Sequence, residues 1–161
     1  VKDPKVIVEI GAFKGAGLRV LSEYFPNARI IGLDISPETV RRPGRAEVHF
    51  FDQTDPKGLD KILNGDKIDI VIDDGLHRMF SMVNTYDYFR EYLNDGSMYF
   101  IEDLSPQGRV NDPIEKFINN CFVYNPRPGY GVMAVITKHD EGITEAGKSF
   151  IQKYRNQGEL K

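Results

Sequence analysis

The sequence has 161 residues, a formal net charge of −3 and a single cysteine, Cys121. That length supports one substantial core and not two, and the mild acidity without any basic run excludes an electrostatic footprint for nucleic acid. One cysteine excludes an internal disulfide or a cysteine-based zinc cluster, and nothing in the sequence given resembles a signal peptide or spanning helix because its apolar runs are only strand-length, so a soluble, cytoplasmic protein without a membrane partner is expected.

The chain opens on Val1, and a strand starts by Val6, so it reads as a processed protein or a piece of a longer one. Lys5 to Ile10 is a β-branched run closed by Gly11, as expected of a strand buried on both faces. Gly15 to Phe25 carries Leu18, Leu21 and Phe25 at helical spacing and stops at Pro26-Asn27. Ala28 to Ile35 is a second strand containing Asp34, and Ser36-Pro37-Glu38 has a helix-start pattern. Glu47 to Phe51 predicts a third strand running into Asp52-Gln53-Thr54-Asp55, followed by a short helix over Pro56 to Leu63. Ile68 to Ile72 is the fourth strand. Met79, Val83, Tyr86, Phe89 and Leu93 then recur at steps of three and four, predicting a helix from Met79 to Leu93.

Ser97 to Ile101 is the fifth strand, and Asp112-Pro113 is expected to open a helix reaching about Asn120. Phe122 to Tyr124 and Val132 to Thr137, separated by Asn125-Pro126-Arg127-Pro128-Gly129, predict a hairpin. Residues 1–138 are therefore expected to form the domain, and 139–161 a polar tail with one short helix near Phe150-Ile151. Alternating strands and helices predict an α/β, doubly wound, mostly parallel sheet with antiparallel strands at one edge.

Chemistry concentrates at the strand ends. Asp73-Asp74-Gly75-Leu76-His77 follows the fourth strand, and Glu102-Asp103 follows the fifth. In open α/β sheets ligands bind outside the carboxyl ends of the parallel strands, so these groups converge on one crevice. Glu9-Ile10-Gly11-Ala12-Phe13-Lys14-Gly15-Ala16-Gly17 joins the first strand to its helix, and Asp34 stands where ribose hydroxyls would be taken. Together they predict a nucleoside-containing cofactor. The spacing is not G-x-G-x-x-G, which disfavours a pyrophosphate dinucleotide, and Lys14 is not followed by Ser or Thr, so this is no P-loop.

Val8-Glu9-Ile10-Gly11 through Gly15, with Gly32-Leu33-Asp34-Ile35, resembles the cofactor half of class I S-adenosylmethionine-dependent methyltransferases. Phe51-Asp52-Gln53-Thr54-Asp55, Ile72-Asp73-Asp74-Gly75-Leu76-His77 and Phe100-Ile101-Glu102-Asp103-Leu104 narrow the resemblance. They are similar to the metal-dependent macrolide sugar O-methyltransferases of the mycinamicin and macrocin type and to the related cephalosporin hydroxylase group. That resemblance implies a seven-stranded Rossmann-like sheet in the order 3-2-1-4-5-7-6 and a place in natural product biosynthesis. It puts Glu9, Gly11 and Gly15 at the methionine part of the cofactor, Asp34 at the ribose, and Asp52 with Gln53 at the adenine. The relatives more often have Ser where this chain has Leu76.

Methyl transfer from a sulfonium needs an aligned acceptor oxygen and a group to take its proton. A hard divalent cation such as Mg²⁺ favours the deprotonated hydroxyl, and carboxylates from adjacent strand ends suit it. The resemblance supports Asp74 and Asp103 as metal ligands and His77 as general base, with Asp73 toward the cofactor. Because neighbours on a strand point oppositely, Asp73 and Glu102 can exchange roles with the residues beside them. An Asp-Asp-Gly turn is also an ordinary strand exit and His77 an ordinary helix cap; the second acidic pair shifts the balance toward a site. His49 and His139 are read as structural and solvated, and Gln107-Gly108-Arg109 as a candidate acceptor loop.

The expected function is thus an S-adenosylmethionine-dependent O-methyltransferase with a small-molecule, sugar-containing hydroxyl acceptor, as a homo-oligomer or a fragment of a larger chain. The alternatives are an NAD-dependent oxidoreductase and a non-catalytic cofactor-binding domain of a larger assembly.

Overall fold

In the computed structural model, which describes residues 1–104, 114–124, 132–138 and 142–157, strands and helices alternate from the start. They are β1 (Val6–Ile10), α1 (Ala16–Tyr24), β2 (Arg29–Asp34), β3 (Glu47–Phe50), α2 (Leu59–Leu63), β4 (Ile68–Asp73), α3 (Met79–Phe89) and β5 (Leu93–Leu104). β6 (Cys121–Tyr124), β7 (Val132–Thr137) and α4 (Glu145–Asn156) follow. All seven strands join one sheet in the order β3-β2-β1-β4-β5-β7-β6, the order expected from the resemblance. The pairs from β3 through β5 are parallel, and β7 runs antiparallel to both β5 and β6.

β1 is buried along its whole length because helices cover both faces of the sheet. Its side chains alternate between two cores. Val6, Val8 and Ile10 join α2 and α3 residues such as Leu59, Val83, Tyr86 and Phe89, whereas Ile7 meets Leu18 of α1 and Ile30 of β2. The α3 side is fixed by aromatic edges: the Tyr99 ring of β5 stands edge-on to Tyr86 at 5.3 Å and to Phe89 at 6.1 Å.

Several local expectations change. Ser36-Pro37 starts only a 3₁₀ turn over Pro37–Thr39, because Val40 is already extended and packs into the α1-side core. The α3 helix stops at Phe89 and gives way to a 3₁₀ turn, since Leu93 is taken into the sheet opposite Ile68. β5 therefore begins at Leu93 instead of Ser97, with an irregular register and Gly96 at φ 74°. The helix expected to reach Asn120 is a single 3₁₀ turn, Ile114–Lys116, because Ile118 forms a bridge to Ile143. Its opening residues Asp112-Pro113, the hairpin loop Asn125 to Gly129, the loop Gln107-Gly108-Arg109 and His139 lie outside the described residues.

The segment after Thr144 forms a twelve-residue helix, longer than the short one expected. Thr144 caps it, its Oγ1 accepting from Gly147 N at 3.1 Å. Ile151 is buried in the α3-side core, the Phe150 ring lies tilted against Phe117 at 4.6 Å, and Tyr154 stacks on Phe80 at 5.3 Å. Among the described residues no helix is long and apolar enough to cross a membrane.

Candidate active site

Register brings the chemistry together. Ile10 of β1 pairs with Asp73 of β4, and Asp73 pairs with Ile101 of β5, so Gly11, Asp74 and Glu102 leave the sheet side by side. The Asp74 N–H still donates to Ile10 O at 2.9 Å, and the Gly11 N–H to Leu33 O at 2.8 Å. β5 carries a bulge here, because Ile101 pairs with Ala134 but Leu104 pairs with Val132. One extra residue fits into β5, and Asp103 takes φ 51° to accommodate it. Bulges re-aim side chains, and this one breaks the strict alternation of the strand end.

A cavity of about 660 Å³ opens along this edge. Asp34, Asp52 and Gly11 stand on its wall with the exposed apolar side chains of Phe13, Ile35 and Leu76. Gly11 must be glycine: it sits at φ 86°, and a Cβ there would lie 2.2 Å from Asp74 O. Asp34 organises the turn, Oδ2 accepting from Phe13 N and Oδ1 from Ser36 N, both at 2.8 Å. Asp52 Oδ1 accepts from Thr54 N and Thr54 Oγ1 at 2.8 and 2.7 Å.

Glu9 points toward α1, where the missing side chain of Gly17 makes room for its carboxylate; a Cβ on Gly17 would lie 2.0 Å from Glu9 Oε1. The residue is 8% exposed, and its Oε2 is buried without a hydrogen-bond partner among the described residues. Burial pushes its carboxyl up to about 7, the charges of Asp74 and Glu102 push the same way, and a backbone N–H bond from Leu18 opposes them. An orphaned buried acceptor beside a glycine-lined turn fits a ligand that brings a positively charged donor.

At the other end of the cavity Asp74, His77 and Asp103 each offer a ligand atom, all within 4.8 Å of one another. His77 Nε2 lies 3.8 Å from Asp74 Oδ1. His77 and Asp103 both adopt positive φ, 52° and 51°, a backbone region that side chains other than glycine rarely occupy. Burial raises the Asp74 carboxyl, with His77 lowering it and Asp103 raising it. Glu102, half-buried alongside, is raised by burial and then by Asp74 and Asp103. Two carboxylates and an imidazole form a donor set suited to a hard divalent cation.

Of the residues expected at the site, Gly11, Asp34, Asp52, Gln53, Asp74, His77 and Asp103 line the cavity. Glu9, Gly15 and Asp73 do not stand on its wall. Gly15 begins α1 in a left-handed conformation. Asp73 is 1% exposed on the α3 side of the sheet, held by Gln53 and Tyr99, and burial pushes its carboxyl up to about 6 against those hydrogen bonds. The Gln53 amide, although at the cavity, is engaged at both ends, with Leu76 N and Asp73 Oδ1. Phe13, Ile35, Leu76 and Tyr99 are not among the residues expected at the site, although Leu76 stands out as a departure from the relatives' serine. The first three could be found as apolar residues placed just where a strand exit leaves the core, whereas Tyr99 reads as ordinary core in a buried strand.

The profile of a family described as a methyltransferase domain matches residues 2–155. The 8-demethyl-8-alpha-L-rhamnosyl tetracenomycin-C 2'-O-methyltransferase of Streptomyces olivaceus is 35% identical over 106 residues, 61% of this chain and 28% of that protein. The mycinamicin VI 2''-O-methyltransferase of Micromonospora griseorubida is 31% identical over 103 residues, 60% of this chain and 26% of that protein. The chain thus spans little more than a quarter of the length of either relative. Among solved structures, the MycE methyltransferase of the mycinamycin biosynthetic pathway, in complex with Mg and SAH, superposes with a TM-score of 0.60. The match covers 92% of this chain and 51% of that one at 22% identity, a likeness of fold. With the profile match running almost from end to end, this chain belongs to the methyltransferase domain family.

Proposed function

We propose that this domain carries out S-adenosylmethionine-dependent O-methylation with the help of a divalent cation, Mg²⁺ by its donor set, on a hydroxyl of a sugar-bearing natural product. The observation that carries the reading is the gathering of Asp74, His77 and Asp103 within 4.8 Å on the wall of the cavity that also holds Asp34. The names of the relatives, which methylate sugar hydroxyls of a tetracenomycin and a mycinamicin, support the choice of acceptor.

The cofactor supplies an electrophilic methyl group on a sulfonium, and the cation favours loss of the acceptor's hydroxyl proton. Each oxygen of Asp34 accepts one backbone N–H and keeps capacity for a ribose hydroxyl. Glu9 Oε2, a buried acceptor without a partner among the described residues, would take the ammonium of the methionine part. Phe13, Ile35 and Leu76 would provide apolar walls for the adenine, and Asp52 would accept from its amine. Asp74 and Asp103 would hold the cation. His77, beside Asp74, takes the acceptor proton at a ring nitrogen.

The cation is tested by its removal. Turnover on a panel of glycosylated natural products is expected to vanish in excess chelator and return with Mg²⁺. Turnover unchanged by chelator would take the cation out of the reaction while leaving the cofactor assignment intact.

A further inference from the structure

A buried hydrogen-bond chain runs beneath the acid-histidine loop without touching the cavity's ligands directly. Tyr99 OH donates to Asp73 Oδ2 at 3.1 Å, and Gln53 Nε2 donates to Asp73 Oδ1 at 2.8 Å. Gln53 Oε1 in turn accepts from Leu76 N at 2.6 Å, and Asp73 Oδ1 accepts from Gly75 N at 3.4 Å. Helix α3 adds Ser81 Oγ, 3.4 Å from Gln53 O, and Thr85 Oγ1, 3.5 Å from Gln53 Nε2. Tyr99 is 0%, Asp73 1% and Gln53 7% exposed.

We infer that Gln53, Asp73 and Tyr99 are positioning residues that clamp the Asp74–His77 loop in the geometry the cation and the base require. The inference deepens the function proposed above and depends on it for what the loop does. The bonds end on the backbone N–H groups of Gly75 and Leu76, the two residues between Asp74 and His77. That segment ends in a histidine at φ 52°, a conformation that persists only where surrounding contacts over-determine it. Gly75 leaves its face open to the clamp: a Cβ there would lie 2.0 Å from Gln53 Oε1. A core needing only volume is filled more cheaply by apolar side chains, since buried polar groups are costly unless every one is satisfied. Because Gln53 follows Asp52, the clamp also fixes the spacing between the cofactor end of the cavity and the cation end. Partners behind a metal ligand typically set its affinity by 10- to 100-fold.

Tyr99→Phe deletes one oxygen and keeps the ring contacts, Gln53→Leu removes both ends of the bridge, and Gln53→Glu keeps an acceptor for Leu76 N while losing the donor to Asp73. Mn²⁺ alone serves as probe in calorimetry, SAH as the cofactor probe, and amide exchange reports on residues 74–78. Mn²⁺ affinity is expected to fall by about 10- to 100-fold in Gln53→Leu and less in Tyr99→Phe, with Gln53→Glu between them. Exchange should rise at Gly75 and Leu76 while β1 and β2 stay protected, and in Tyr99→Phe, which leaves the cavity-lining Gln53 in place, SAH affinity should change by no more than about threefold. The clamp is refuted if the wild-type chain binds Mn²⁺ and the variants bind it equally, or if exchange rises across the whole sheet instead of the loop. A wild-type chain that does not bind Mn²⁺ would remove the cation reading, and the exchange pattern in Tyr99→Phe, which needs no metal, would still decide for or against the clamp.

Discussion

His77→Ala should lower methyl transfer by about 10²- to 10⁴-fold while leaving SAH affinity within a factor of about two, because a positioned general base contributes on that scale and adds little to ground-state binding. The imidazole is the one nitrogen base in the Asp74-His77-Asp103 cluster, and its Nε2 lies 3.8 Å from Asp74 Oδ1. The side chain is exposed and alanine adds no bulk, so the fold should survive. The loss should shrink as the assay pH rises, since solvent hydroxide then substitutes for the missing base. Asp74→Asn should behave differently: it keeps the shape, loses the ligand charge, and its defect should be partly relieved by high Mg²⁺ concentration. Single-turnover rates measured from pH 6 to 10 separate the two. A His77→Ala rate within threefold of wild type would take the base role away from this residue.

Glu9→Gln should make the cofactor-free, metal-free domain more stable at pH 8 and no more stable at about pH 4.5. The folded-state carboxyl sits at about 7 against an ordinary 4.5, so between those values the folded chain holds more proton than the unfolded one. The wild type therefore loses stability as pH rises from about 4.5 through about 7, and the full penalty stands above that. A displacement of this size corresponds to about 3 kcal/mol, an upper bound because the group keeps some solvent contact. Glutamine cannot ionise and escapes the penalty. The same change removes the negative charge on the orphaned Oε2, so SAH affinity should fall even as the melting temperature at pH 8 rises. Denaturant unfolding at pH 4.5, 6 and 8 checks it, and a constant stability difference across those values would show that Glu9 does not carry this burden. Opposite movements of stability and affinity are the expected signature of a group strained for binding.

The legible part of the fold was its period. Runs rich in β-branched residues at β1 and β4, and the three- and four-residue recurrence through α3, mark buried elements and place them to within a few residues. What failed did so where tertiary pairing overrides local preference. Leu93 has a helical position in the recurrence but is claimed by Ile68 across the sheet, and Ile118 is claimed by Ile143. The helix after Thr144 was underestimated because only Phe150, Ile151 and Tyr154 mark its buried side in a polar stretch.

At the site, residue types and strand ends were legible, and the pleat was not. Sequence alternation leaves open which of Asp73 and Asp74 faces the cavity; the structure buries Asp73 against Tyr99 and puts Asp74 on the wall. The bulge that turns Asp103 is invisible in the sequence, because a bulge is set by the partner strand β7 and not by the bulged residues alone. The resemblance puts Gln53 with Asp52 at the adenine; in the structure Gln53 lines the cavity and its amide bridges Leu76 N and Asp73 Oδ1. Such bridging depends on a distance between loops that no local pattern encodes.

The most direct measurement is a crystal structure of the chain grown with SAH and Mn²⁺, with the metal located by its anomalous scattering. The account predicts the ribose hydroxyls on Asp34, the amino group on Glu9 Oε2, and a manganese peak bound by Asp74 and Asp103 next to His77. SAH bound away from the Gly11 turn, or manganese absent from the Asp74–Asp103 cleft at saturating concentration, would contradict it.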